Sequence, residues 1–334
     1  MANAILSGLG FYVPDNVVTN TDLTKQMETS NEWIVERTGI EERRWINSDE
    51  DTTASMGVAA GRMAIENAGL QPSDIDFIIF ATLSPDYYFP GPGVQVQEAL
   101  GIDTIGALDI RNQCSGFVYG LSVADQYIRS GMYKNILLIG SEHHSGGLDV
   151  TTRGRGVSVI FGDGAGAAVI SATEDDDRGI LSTHLHSQGS HAKELALIGP
   201  STRRWITEIM EDNDPKDTSY YPYMNGNFVF KHAVTRFPEV IGEALEANDY
   251  GPQDISLLVP HQANLRISQF VQKRMGLSND QVYNNIMRYG NTTAASIPIA
   301  LYEAWNEGKI NQGDLVCLAA FGSGFTWASA LIRW

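Results

Sequence analysis

The chain has 334 residues, with 23 lysines and arginines against 40 aspartates and glutamates and a formal net charge of −17. At 43% apolar and 19% charged residues the composition is that of a globular protein of one or two domains, not a disordered one. The acidity excludes a broad nucleic-acid groove and a polybasic membrane contact, and any acidic partner requires a local basic patch.

The N-terminal stretch MANAILSGLGFYVP has no basic leader region, the first cationic residue being Lys25, and no uncharged apolar run reaches membrane-spanning length. The two cysteines, Cys114 and Cys317, form neither a disulfide framework nor a metal-ligating spacing. A soluble, reduced, cytoplasmic protein without metal or resident cofactor is expected, with no nucleic acid and no membrane among its partners.

Strand-like and helix-like runs alternate along the chain, which predicts an α/β fold. The first buried-type strand, Phe77–Ala81, follows the turn Pro72-Ser73-Asp74. Cys114 comes next, between a strand at 107–110 and a helix whose residues 115–124 carry no charge. A helix that is small and apolar all round is buried. The cysteine is either a small buried hydrophobe or a nucleophile. The free N–H groups and positive end of the helix favour the nucleophile, and predict a lowered thiol pKa and an oxyanion site.

A strand at 136–140 leads to His143-His144, and Phe161-Gly162-Asp163-Gly164 reads as a tight hairpin, because no amphipathic helix follows it as a dinucleotide motif requires. His184 and His186 share a face of an extended run, a pattern more often structural than metal-binding. The region 176–227 is set apart as an inserted cap, its stretch 184–227 being rich in Gly, Pro, Tyr and Asp with poor periodicity.

In the last third, a strand at 257–259 ends at His261, either a core histidine or a site residue at a strand tip. Residues 261–276 contain Arg266, Lys273 and Arg274 and no carboxylate; with Lys231 and Arg236 they supply the local basic patch. Asn291 precedes an uncharged run at 292–302 and reads as a helix cap or a site residue. Pro298 fits only a first turn, so that helix starts near Ser296. Cys317, inside the strand run 315–319, reads as core; the glycines of Phe321-Gly322-Ser323-Gly324 let a backbone N–H approach a bound carbonyl.

Three echoes link the two ends of the chain. Pro72–Phe80 is echoed by Pro252–Pro260, an offset of 180 residues. The stretch 108–132 is echoed by 285–309, with Cys114 and Asn291 each standing 17 residues before a glycine stop, and FGDG (161–164) is echoed by FGSG (321–324). Two equivalent α/β halves follow, 1–175 and 228–334, with the strands at 77–81, 136–140, 257–259 and 315–319 central and the Cys114 and Asn291 positions equivalent. Halves meeting through buried helices make a five-layer αβαβα block.

Seven motifs then resemble those of the β-ketoacyl-acyl-carrier-protein synthase III family of the thiolase superfamily, over nearly the whole chain: SNEWIVERTGI (30–40), QCSGFVYGLSVADQYIRSG (113–131), RGVSVIFGDGAGAAV (155–169), STHLH (182–186), VPHQANLRI (259–267), YGNTTAASIP (289–298) and FGSGFTWASALIRW (321–334). The resemblance implies a thiolase-like αβαβα homodimer with a catalytic triad at Cys114, His261 and Asn291. It implies a two-stage reaction in which Cys114 takes an acyl group from acyl-CoA and malonyl-acyl carrier protein then loses CO2 and condenses with it. His261 and Asn291 would hydrogen-bond the thioester oxygen as the enolate forms. Backbone N–H groups of Cys114 and Ser323 would hold the oxyanion, and Phe321 would line the decarboxylation site. Trp33, Arg37 and Arg155 would grip CoA, and Lys231, Ala263, Asn264 and Arg266 would stand at the pantetheine entrance. Arg266, Lys273 and Arg274 would dock the carrier protein, and Phe89 would reach the partner subunit's acyl pocket.

The chain departs from the family pattern at Asn112-Gln113, where small residues are usual, and at Ser323, where glycine is usual and a backbone donor survives the change. Trp205, Tyr220, Tyr221 and Tyr223 of the long cap either line an acyl channel or pack the cap. The order Cys…His…Asn also occurs in papain-like hydrolases, but their local cysteine motif is absent. A non-catalytic carrier-binding subunit is disfavoured because no triad member is lost. The nearest alternative uses the same machinery on a longer acyl, aryl or polyketide starter.

Overall fold

The computed structural model describes residues 2–334 apart from Asn213 and Pro215. The N-terminal half contains β1 (Asn3–Tyr12), α1 (Thr53–Asn67), β2 (Phe77–Ala81), β3 (Gly106–Ile110), α2 (Gly116–Arg129), β4 (Asn135–Glu142) and β5 (Gly164–Thr173). The C-terminal half contains β6 (Gly179–Ser187), α3 (Gly226–Glu246), β7 (Leu257–Pro260), α4 (Leu265–Met275), α5 (Ser296–Asn306), β8 (Leu315–Gly322) and β9 (Thr326–Arg333). The strand orders are β1-β5-β4-β2-β3 and β6-β9-β8-β7.

The duplication is visible in the register. Phe77 pairs with Ile136, and Leu257 pairs with Val316, so both partners move by 180 residues. The counterpart of β3 is reduced to one parallel bridge, Leu258 to Val282. This makes β7 the edge of its four-stranded sheet, where a central strand was expected, although all four of its residues are buried.

Five layers result. α1 packs Met56, Ala60 and Ile65 on one face of the first sheet, and α3 packs Phe237, Val240 and Ile241 on one face of the second. Between the sheets lie α2 and α5, whose Phe117, Leu121, Ile297 and Leu301 share one core with Ile79, Leu138, Val259 and Leu318. Each such side chain removed from water contributes about 1.5–3 kcal/mol. Both helices therefore lack charge along their first turns, as their sequences demand. α5 begins at Ser296, with Pro298 in its first turn, where a missing N–H breaks no helical hydrogen bond.

Three details of the repeat differ from expectation. The 3₁₀ turns preceding the buried helices are Gln113–Ser115 and Thr293–Ala295, with Gln113 at φ 42° and Thr293 at φ 49°. Ala294, not Asn291, therefore stands where Cys114 stands; the equal spacing to the glycine stop arises because α5 has 11 residues against 14 in α2. FGDG does not form a hairpin. Phe161 lies ahead of β5 and bridges to Asn291, whereas Phe321-Gly322 ends β8 at the position of Ser141-Glu142 in β4. Finally, β6 pairs along β9, so Gly179–Ser187 belongs to the C-terminal sheet and the inserted cap shrinks to 188–225.

The cap carries a two-stranded ribbon, Tyr223–Met224 with Leu195–Ala196, and a helix at Ile206–Asp212. Among the described residues, no helix is long and apolar enough to cross a membrane.

Candidate active site

Cys114 is carried by the turn that converts β3 into α2, and is 7% exposed. Backbone N–H groups of Ser323 and of Cys114 itself face its sulfur, and the Thr293 side chain lies beside it. Helix start and donors were expected to lower the thiol pKa. Burial outweighs them: desolvation, with the charge of Glu142 added, pushes the thiol up to about 12. Cys114 is a thiol at rest, and the two N–H groups await an oxygen charge that develops during reaction.

His261 follows the last residue of β7, and its N–H donates to Ala319 O at 2.8 Å. Its Nδ1 is 2.6 Å from Ser296 Oγ, which also accepts from Gln262 N at 3.3 Å. Assigning the serine hydroxyl proton to Nδ1, while its oxygen accepts from Gln262 N, puts the ring proton on Nε2. Nε2 is buried with no hydrogen-bond partner among the described residues. Burial depresses the His261 pKa to about 3, so the ring is a neutral donor facing the cavity.

Asn291 is fixed through its backbone, its N–H donating to Ile160 O at 2.8 Å and its carbonyl accepting from Gly162 N at 3.1 Å. Its Oδ1 accepts from Thr293 N at 2.9 Å, which leaves the amide NH2 as its free donor. Two neutral donors thus stand opposite one thiol.

Cys114, His261, Asn291 and Phe321 line one cavity of about 360 Å3, together with Trp33, Arg37, Ala263, Asn264 and Arg266. Arg37 and Arg155 both lie over the Trp33 ring, at 4.7 and 5.1 Å, so two cations and an indole gather at this mouth. Asn264 caps α4 through Arg266 N at 2.9 Å and donates to Arg37 O at 2.9 Å, joining the two sides of the entrance. Lys231 is exposed on α3, and Lys273 and Arg274 are exposed on α4 with Arg266. Arg236 is engaged elsewhere, 2.7 Å from Glu239 and stacked 4.8 Å over Trp327, so it leaves the expected basic patch. Phe89 is away from the cavity and 80% exposed.

The cap contributes Leu195 and Met224 to this cavity, and none of the four aromatic residues singled out in it. Tyr221 and Tyr223 line a second cavity of about 560 Å3, which shares Gly156, Met224, Gly226 and Asn227 with the first. Trp205 is 52% exposed. His184 and His186 both contact Glu243, at 3.3 and 2.6 Å, and so brace β6 against α3. Cys317 is fully buried in β8.

Sequence reasoning missed Glu142, Thr293, Ser296 and His144. Glu142 is fully buried and accepts from Ser84 Oγ at 2.6 Å, Thr82 Oγ1 at 3.0 Å and Leu83 N at 3.1 Å; desolvation raises its pKa to about 7. The 180-residue offset carries the signal for one of them, Ser296. It pairs His261 and Ser296 of one half with Ala81 and Gly116 of the other, so the polar pair stands out against an apolar counterpart.

Residues 108–189 match the family described as 3-oxoacyl-(acyl-carrier-protein) synthase III, and residues 245–334 match its C-terminal counterpart. The chain is 45% identical over 335 residues to the β-ketoacyl-(acyl-carrier-protein) synthase III of Rhodospirillum centenum, covering 99% of each. The crystal structure of 3-oxoacyl-(acyl-carrier-protein) synthase III from Aquifex aeolicus superposes with a TM-score of 0.89 at 41% identity, covering 100% of both chains. The priming β-ketosynthase of the R1128 polyketide pathway superposes at 0.88 with 32% identity, covering 99% of this chain and 96% of its own.

Proposed function

The chain belongs to the 3-oxoacyl-(acyl-carrier-protein) synthase III family, and we propose that its initiating condensation of fatty acid synthesis runs through an acyl group carried on Cys114. The observation that carries this reading is the meeting of one buried thiol, two backbone N–H donors and two neutral donors, His261 Nε2 and the Asn291 amide, at one cavity.

In the first stage Cys114 sulfur attacks the carbonyl carbon of an acyl-CoA, and the N–H groups of Cys114 and Ser323 hold the oxyanion. Collapse expels the CoA thiolate, which takes a proton from water. In the second stage malonyl-acyl carrier protein enters. Its C–CO2 bond breaks, and the electron pair moves into an enolate whose oxygen accepts from His261 and Asn291. A neutral histidine suits this step, because it stays a donor across the working pH range. Phe321 supplies an apolar wall beside the carboxylate, which favours its loss as neutral CO2. The enolate carbon attacks the acyl-enzyme, Cys114 leaves, and 3-oxoacyl-carrier protein forms. Both substrates bring their own thioester activation, so no metal or resident cofactor takes part.

Trp33, Arg37 and Arg155 are assigned to the CoA nucleotide, and Lys231, Ala263, Asn264 and Arg266 to the pantetheine entrance. Arg266, Lys273 and Arg274 form the cationic face for an acidic carrier. The assembly is a homodimer in the cytoplasm. Support for pairing comes from β3, an open sheet edge with Gly106 and Asp109 exposed, and from the exposed Tyr87, Tyr88 and Phe89, with Phe89 assigned to the partner's acyl pocket.

Cys114→Ala is the test: mass spectrometry after incubation with acyl-CoA should find no acyl-enzyme in a variant that remains folded by circular dichroism. Acyl transfer surviving the change ends the reading. A longer, aryl or polyketide starter is the second reading, favoured by the likeness to the polyketide priming synthase. A panel of acyl-CoA primers with malonyl-carrier protein, read by product mass, separates the two.

A further inference from the structure

The condensation as derived leaves one question about protons: His261 is held as an Nε2–H donor, so it is unsuited to take the Cys114 proton. A second buried histidine lies behind the nucleophile. His144, 9% exposed, has Nε2 at 2.8 Å from Thr293 Oγ1, and the Thr293 side chain neighbours Cys114, where its polarity favours the thiolate. The imidazole is held in place: its backbone N–H donates to Asp163 Oδ1 at 2.6 Å, and its ring packs 4.8 Å from that of Phe161. Asp163, fully buried, also accepts from Ser145 N at 2.9 Å and Ile46 N at 2.8 Å.

Thr293 gives an independent indication. It is β-branched, yet sits at φ 49°, where glycine or asparagine is at ease and a branched side chain is strained. Neither alternative would place a hydroxyl between a thiol and an imidazole.

We propose that Thr293 and His144 relay the Cys114 proton away during acylation and return it at the end of condensation. The inference rests on Cys114 being the acyl carrier. As sulfur bonds to the acyl carbon, the S–H bond breaks and its proton passes to Thr293 Oγ1, while the Thr293 proton passes to His144 Nε2. When the enolate attack later expels Cys114, the same protons run back, so sulfur leaves as a thiol. The CoA thiolate is neutralised separately by water, and one proton is consumed per turnover, as the overall reaction requires. Thr293 lies beside the reacting sulfur; His144 acts through it as a positioning residue.

The charged and titratable groups facing the relay are Glu142 from β4 and His261 after β7 on the Cys114 side, with Asp163 and His143 on the His144 side. Desolvation holds the thiol protonated and the imidazole neutral at rest. Transfer is therefore concerted with C–S bond formation, and the Asp163 carboxylate supports the imidazolium.

Single-turnover acylation of the full-length enzyme by acyl-CoA tests this. His144→Gln and Thr293→Val should each slow acylation about 100-fold, with no further loss in the double variant, and Thr293→Ser should recover most of the rate. The wild-type rate should be nearly flat from pH 6 to 9, while that of His144→Gln climbs about tenfold per pH unit as the thiolate forms unaided. Wild-type speed and pH profile in His144→Gln, or independent multiplying losses in the double variant, would overturn the relay. If His144→Gln fails to fold, the Thr293→Val and Thr293→Ser pair decides alone: equal rates reject it. Cys114→Ala that still becomes acylated would instead reject the underlying reading.

Discussion

Gly322 lies against Cys114 so closely that a β-carbon built on it would stand 2.5 Å from Cys114 Cβ and 2.7 Å from Sγ. The end of β8 thus sets the depth of Cys114 as well as lining the cavity. Because Gly322 takes no left-handed φ, alanine there is permitted by the backbone dihedrals and excluded by the Cys114 side chain. Gly322→Ala should move the sulfur by a few tenths of an ångström or more from its two N–H donors. A drop of about 100-fold in single-turnover acylation is expected from displacement on that scale, with the fold retained by circular dichroism. An unimpaired variant would show that the turn yields.

The Cys114 thiol, pushed up to about 12 by burial and then by Glu142, should show no thiolate absorbance at 240 nm below pH 10 once a Cys114→Ala control is subtracted. That control is needed because burial raises Cys317 to about 12 as well. Glu142→Gln removes a negative charge that opposes ionisation, so the thiol pKa should fall by about one unit. Glu142 itself titrates near 7. Above that pH the wild-type carboxylate is charged and the variant differs from it; below that pH it is protonated and the difference fades. Alkylation by iodoacetamide should therefore be faster in Glu142→Gln at pH 9, with the ratio approaching one at pH 5.

Much of the site was legible in the sequence because its residues lie at strand tips and helix starts, where local pattern is informative. Cys114 and His261 each sit where a buried-type strand gives way to polar residues. The pKa of Cys114 was misread because a helix terminus is a local feature and desolvation is not: the neighbours that remove water come from β4, β8 and the turn at Thr293. The equivalence of Asn291 with Cys114 failed for a related reason. A helix three residues shorter keeps its spacing to the terminal glycine while shifting its start, and only the paired register, Phe77 with Ile136 against Leu257 with Val316, fixes the true offset. His144 carried no signal, because its meaning depends on Thr293, 149 residues away.

The cap aromatics yield a negative prediction for primer length. Tyr221 and Tyr223 line the neighbouring cavity and leave the Cys114 cavity to Val229, Phe230, Ala233 and Phe237 of α3. Tyr221→Ala should leave the distribution of primer lengths unchanged, as read by product mass from a mixed acyl-CoA pool. Phe237→Ala removes a fully buried ring from the wall and should admit primers longer by several carbons. It should also lower stability by about 3–5 kcal/mol in denaturant titration. A shift of the profile on Tyr221→Ala would connect the second cavity to the acyl path.

In the proposed function the acidic chain meets an acidic carrier through a local exception to its own charge, and that exception has two parts. Arg266 lines the cavity and stacks 5.8 Å over Phe230, so its loss disturbs CoA and carrier together. Lys273 and Arg274 lie at the far end of α4, exposed and outside the cavity wall, where they face only what docks on the surface. Reversing both to glutamate places two like charges against the carrier, which chiefly slows encounter. kcat/KM for malonyl-carrier protein should fall about tenfold or more, and most of its dependence on ionic strength should vanish with the attraction that caused it. Acylation of Cys114 by acyl-CoA should change less than twofold in the same protein. Equal losses in both half-reactions would assign α4 to the stability of the entrance; no loss in either would make its cationic end ordinary solvated surface.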